Sequence, residues 1–148
     1  MPNTLSIKLL YTTLGDEMLA WYQYWTCANL AQGDGRSDAL PEFTEHAKEE
    51  MEHADKVMQR LKELGCQPPN DPCDWKGLAN PWTKVESPVV LDELRITADA
   101  ESAAIRFYSN CVRVLENTDD ITTTELFKEL LADEQKHLYD LNQLIREF

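Results

Sequence analysis

Apolar residues recur three and four positions apart along most of the chain, the spacing of a helix face turned toward a core. The periodicity breaks at Gly33-Asp34-Gly35 and again from Gly65-Cys66-Gln67-Pro68-Pro69 onward, and the chain has only five glycines in all. The spacing therefore predicts a first helix from about Thr4 to Gln32 and a second from about Asp38 to Leu64, with Pro41 in its opening turn. Between Gly65 and Ser87 prolines crowd together with Trp75 and Trp82, the composition of an extended crossover pinned to the body by aromatics. Ser87-Pro88 supplies an N-cap followed by proline at the first helical position, opening a third helix to about Glu116. Thr122-x-x-Glu125 is a capping box that opens a fourth. These four helices account for the whole chain, and no strand pattern competes.

Shifting the sequence by 84 positions against itself gives 12 identities over 64 aligned residues, where composition alone supplies about four. In the first and third helices the pairs are Leu10/Leu94, Thr13/Thr97, Glu17/Glu101, Ala20/Ala104, Tyr24/Tyr108 and Cys27/Cys111, steps of three and four that follow one helix face. In the second and fourth they include Phe43/Phe127, Glu50/Glu134 and His53/His137, flanked by apolar pairs such as Val57/Leu141 and Leu61/Ile145. An internal duplication explains this better than chance. It implies two helical hairpins related by a pseudo-twofold axis, joined by the crossover into one all-α four-helix bundle spanning residues 1–148.

Each apolar seam is interrupted at its middle by ionisable groups: Glu17, Glu50 with His53, Glu101, and Glu134 with His137. Four carboxylates and two imidazoles then face one core, and such a core is tolerable only with bound cations or protons. A Glu-x-x-His pair puts both side chains on one face about a turn apart, so two such pairs suit two ions. Four carboxylate charges balance two divalent cations, and oxygen donors with imidazole favour iron or manganese over soft thiolate metals.

Composition narrows the partners. With 27 acidic and 14 basic residues, a formal charge of -13 argues against a nucleic-acid surface. A chain 43% hydrophobic is too apolar for disorder, and no apolar run reaches the length of a membrane span. The opening Met1-Pro2-Asn3-Thr4 lacks the basic and apolar stretches of a secretory leader, so a cytoplasmic address is expected. Cys27, Cys66, Cys73 and Cys111 form neither paired zinc knuckles nor a disulfide scaffold and are read as reduced thiols.

The segments Asp16-Glu17 through Gln23-Tyr24, Glu49-Glu50-Met51-Glu52-His53-Ala54-Asp55 and Asp133-Glu134-Gln135-Lys136-His137 resemble bacterioferritins and the related Dps-like proteins of the ferritin-like superfamily. The ligand set is the one common to ferritin-like and designed two-metal bundles, so this is a matched pattern. The resemblance covers all four helices. It implies a di-iron centre that oxidises Fe(II) with O2 or H2O2 for iron storage and detoxification, with two irons per subunit and manganese or zinc as possible substitutes. It implies Glu50 and Glu134 as bridges and Glu17, Glu101, His53 and His137 as terminal ligands. The chain stops at Phe148, where larger cages of the family carry a short fifth helix, so a homo-oligomeric shell of twelve subunits is expected. Met51 matches a position that binds haem between subunits in bacterioferritins, but it lies about 100° off the seam, and haem is not expected.

Around these six residues, Tyr24 and Tyr108 are placed to hydrogen-bond ligand carboxylates, and Glu49 and Asp133 to accept a proton from the opposite histidine ring. His46 lies one turn from Glu49 and Glu50, close enough for a supplementary ligand, but its repeat counterpart is Leu130 and a solvent-edge position is expected. Cys27 and Cys111 are read as core packing at opposite ends of the bundle, and Cys66 and Cys73 as free crossover thiols. The acidic excess is assigned partly to solvated helix faces and partly to guidance of Fe(II). Two other readings stay open on the sequence: a stand-alone di-iron or dimanganese peroxidase or oxygenase, and a structural bundle that uses its acidic seam for register.

Overall fold

The computed structural model describes residues 3–148; Met1 and Pro2, which belong to the segment read for a leader, lie outside them. The chain forms α1 (Thr4–Leu30), α2 (Arg36–Glu63), α3 (Cys73–Leu78), α4 (Val90–Leu115) and α5 (Ile121–Ile145). The four long helices are those the periodicity predicts, and among the described residues there is no strand, only an isolated bridge between Gln32 and Val89. None of these helices is long and apolar enough to cross a membrane.

Four local expectations change. The crossover is not wholly extended, because Cys73–Leu78 forms a fifth, short helix. It docks on α1 at Gly15, where a Cβ would meet the Trp75 carbonyl oxygen at 2.5 Å and the Ala79 nitrogen at 3.0 Å. Asp16 then clasps Asn80 through its backbone N–H at 2.7 Å and its side-chain amide at 2.6 Å. The cap of α5 is Asp120, not Thr122: its carboxylate accepts from Thr123 N at 3.1 Å and from the Thr123 hydroxyl at 2.6 Å. Ser87 does not cap α4, which begins at Val90; its hydroxyl accepts from Val89 N and donates to Asp92. Helix α2 starts two residues early, so Pro41 falls in its second turn and withholds the N–H that would otherwise bond the Ser37 carbonyl.

α1 packs chiefly on α2 and α4 on α5, giving the two hairpins. Two apolar clusters form the core. One holds Leu10, Leu14, Val57, Leu61, Tyr108, Cys111, Leu115 and Phe127; the other holds Tyr24, Cys27, Phe43, Val90, Leu94 and Leu141. Repeat-related residues fall in opposite clusters: Leu10 against Leu94, Phe127 against Phe43, Cys111 against Cys27. Burying an apolar side chain is worth about 1.5–3 kcal/mol, and these seams hold the four helices in one register. The ionisable residues at mid-seam are thereby fixed between the clusters.

Candidate metal centre

Each long helix contributes its mid-seam residues to one buried place. Glu17, Glu50, His53, Glu101, Glu134 and His137 are each at most 2% exposed. They fall into two overlapping groups, Glu17–Glu50–His53–Glu134 and Glu50–Glu101–Glu134–His137, in each of which one ligand atom per residue lies within 4.8 Å of the others. Glu50 and Glu134 belong to both. His53 Nδ1 stands 3.3 Å from Glu17, Glu50 and Glu134 alike. His137 Nδ1 stands 3.4 Å from Glu50 and Glu134 and 3.6 Å from Glu101.

The outer nitrogens of both rings are held from the facing hairpin. His53 Nε2 pairs with Asp133 at 2.9 Å, and His137 Nε2 with Glu49 at 2.6 Å. Anchoring Nε2–H to a carboxylate turns Nδ1 inward and fixes the tautomer that can ligate. The tyrosines cross over in the same way: Tyr24 donates to Glu101 at 2.7 Å and Tyr108 to Glu17, each reaching the opposite hairpin. Burial and the neighbouring Glu101 and Glu17 push the two phenols well above their ordinary range, so the hydroxyls stay neutral donors.

Without a cation the cluster holds its charge in check with protons. Burial, then Glu17 and Glu101, push Glu50 up to about 8. Glu134 is raised well above the usual carboxylate range by burial and by Glu101, Glu50 and Glu17. Burial works to raise Glu101 too, but hydrogen bonds involving His137, Glu134 and Tyr24 hold it below the ordinary value. For His53 and His137 burial opposes the charged ring, yet the surrounding carboxylates outweigh it, raising His53 strongly and His137 to about 10.

The donor set fits divalent metal. Both oxygens of Glu50, Glu101 Oε2, Glu134 Oε1 and His137 Nδ1 are buried without a hydrogen bond. Buried polar atoms are otherwise almost always satisfied, so these unmatched atoms call for a ligand the chain does not supply, one that takes the place of the protons. A cavity of about 440 Å3 between α1, α4 and the crossover reaches Glu17, Glu50, Glu101 and Glu134, with Ala104, Phe107 and Trp82 among its apolar walls.

The sequence model of the family described as a ferritin-like domain matches residues 7–148. The chain belongs to the ferritin-like family. A bacterioferritin of Desulfovibrio desulfuricans is 35% identical over 97 residues, which is 62% of this chain but about half (47%) of that relative's length. Among solved structures, the dodecameric thioferritin of Bacteroides fragilis, a bacterioferritin-related protein, superposes with a TM-score of 0.89 at 33% identity, covering 95% of this chain and 84% of its own. A Dps of Thermosynechococcus elongatus reaches the same TM-score at 20% identity, over 97% of this chain and 93% of that one, a likeness of fold.

The remaining residues singled out by sequence distribute as follows. Cys27 and Cys111 are buried, Cys66 is half-buried and Cys73 exposed, all as free thiols. Met51 is half-buried against the first apolar cluster. His46 corrects the sequence reading: it is 1% exposed, not at the solvent edge, and its ring stacks on His137 at 4.1 Å. Leu130, its repeat counterpart, is itself fully buried, so the repeat pointed inward and the polarity of histidine obscured it. The sequence reading gives no separate role to Asp16, which clasps Asn80, or to Glu93, which is fully buried.

Proposed function

We propose that this protein oxidises Fe(II) at a dinuclear carboxylate centre, with O2 or H2O2 as oxidant, and stores the product inside a homo-oligomeric cytoplasmic shell of twelve subunits. The observation that carries this reading is the sharing of Glu50 and Glu134 between the two ligand groups, each completed by one inward-facing imidazole and one further glutamate. Two adjacent cations joined by common carboxylates are what such a set accepts. Iron is here the substrate: two Fe(II) supply electrons to the oxidant and leave as Fe(III).

The chain's own residues prepare that exchange. Glu50 and Glu134 would span the two ions, and Glu17 and Glu101 would complete the shells, held in place by the Tyr108 and Tyr24 hydroxyls. Asp133 and Glu49 keep the imidazoles aimed inward. The bacterioferritin relative and the dodecameric thioferritin support iron chemistry and the shell respectively. Manganese or zinc would be accepted by the same donors.

The test is aerobic addition of Fe(II), followed by absorbance of the Fe(III) product and by the iron retained on the assembled protein. Wild type should oxidise and retain far more than two irons per chain, and Glu50→Ala should slow oxidation by at least about tenfold. The cavity that reaches four of the glutamates favours a second reading, a stand-alone dinuclear peroxidase or oxygenase acting on a small organic substrate. A dimer that oxidises Fe(II) yet retains no more than two irons per chain would select it. A chain that binds no divalent metal would leave only a structural bundle.

A further inference from the structure

A second set of donors lies beyond the shared cluster, toward the start of α2. Glu42 and His46 sit one turn apart on α2, and Asp140 comes across from α5, so that one ligand atom of each lies within 4.8 Å of the others. His46 Nε2 is 3.3 Å from Glu42 Oε2 and 3.8 Å from Asp140 Oδ2. Neither nitrogen of this buried ring makes a hydrogen bond. The ring is held rigidly, with Tyr24 meeting it edge-on at 5.1 Å and His137 stacked on it with planes 19° apart.

Packing alone does not call for an imidazole here. Under the 84-residue repeat, Glu42, His46 and Asp140 correspond to Leu126, Leu130 and Lys56, and Leu130 fills its position with no exposed surface. The other half of the molecule thus solves the same packing problem with hydrocarbon. The polar version has no counterpart in the other half and leaves both nitrogens of His46 unmatched.

We propose that Glu42, His46 and Asp140 form a third cation site, distinct from the shared four-carboxylate cluster, for a divalent transition-metal ion. One imidazole with two carboxylates suits Zn(II), Fe(II) or Mn(II) over soft thiolate-seeking metals, and the two carboxylate charges cancel the ion's. Bonds of about 2.0–2.2 Å require the three ligands to draw closer together. The two carboxylates can supply that movement, being 39% and 30% exposed, while the stacked ring stays put.

Zinc is the probe. Crystals of the full chain soaked in Zn(II) should give an anomalous peak at the zinc edge within bonding distance of His46 Nε2, separate from any among Glu17, Glu50, Glu101 and Glu134. In solution, Glu42→Gln, Asp140→Asn and His46→Leu should each bind one equivalent fewer than wild type, and Glu50→Gln should retain that equivalent. His46→Leu copies the natural Leu130 solution, and the two edge variants alter no core packing, so loss of binding is not confused with unfolding. A zinc-loaded crystal with His46 unligated, or equal stoichiometry in wild type and all three variants, overturns the site. If the shared cluster takes no zinc, wild type binds one equivalent and His46→Leu none; that result sustains the third site and refutes the dinuclear reading.

Discussion

Glu93 shows what a carboxylate does when it is buried away from any partner. Its side chain is fully covered, neither oxygen makes a hydrogen bond, and burial, helped by Asp92, pushes it up to about 7. A pKa raised on folding stabilises the native state below the unfolded value, and that contribution is lost as pH rises through the folded one. Glu93→Gln removes the titration without changing size. Thermal melts should show wild type and variant close together near pH 5 and the variant increasingly more stable toward pH 8; a gap that does not change with pH would rule the effect out. Thiols give a second check. Burial raises Cys111 to about 12 and Cys27 well above its ordinary range, while Cys73 is exposed, and only thiolates alkylate. Iodoacetamide followed by peptide mass spectrometry should find Cys73 modified in the native protein and Cys27 and Cys111 only after denaturation. Much of the six-residue cluster was legible because duplication marked each member twice. Glu93 and His46 were not, because their repeat partners are Leu9 and Leu130 and nothing in the period distinguishes a lone polar residue facing inward from one facing water.

The elements that sequence patterning resolved are the ones long enough to show a period, each of 25 residues or more. With six residues α3 has less than two turns, and its place depends on a close backbone approach that no pattern announces. Gly15→Ala should therefore push α3 off α1, since the obstructing atoms at 2.5 and 3.0 Å are backbone. Limited proteolysis should cut the crossover faster in the variant while helical circular dichroism stays near wild type. The start of α5 shows why a capping box misleads: Thr122-x-x-Glu125 has the right spacing, but Asp120 is the residue whose carboxylate reaches Thr123 N and also pairs with Arg60 at 2.9 Å. Asp120→Ala removes both interactions and should cost about 1–2 kcal/mol by denaturant unfolding. Thr122→Ala should change little, and the reverse ranking would restore the capping box.

At the scale of the whole molecule, the duplication places two apolar clusters around a centre that must be neutralised, and protons and cations are alternative ways of doing so. In the metal-free chain Glu50, Glu134, His53 and His137 all have raised pKa values. Ligation requires each of them to lose its proton. Filling the centre with two divalent cations should thus release a proton from each of these groups that is protonated at the working pH. Zinc added to metal-free protein in weak buffer at pH 7 should give this release in an indicator dye, and Glu50→Gln should give less. Folding stability must follow the same exchange. Because the folded values lie above the unfolded ones, the protonated centre stabilises the fold at low pH, and this fades from 4.5 toward about 8 for Glu50 and from 6.5 toward about 10 for His137. Metal binds more strongly as those protons leave, so the rise in melting temperature produced by Zn(II) should grow between pH 6 and pH 8.5, and Glu50→Ala should lose most of it. An increment independent of pH would mean that the ions bind without displacing protons, and the cluster between the hairpins would then not be where they sit.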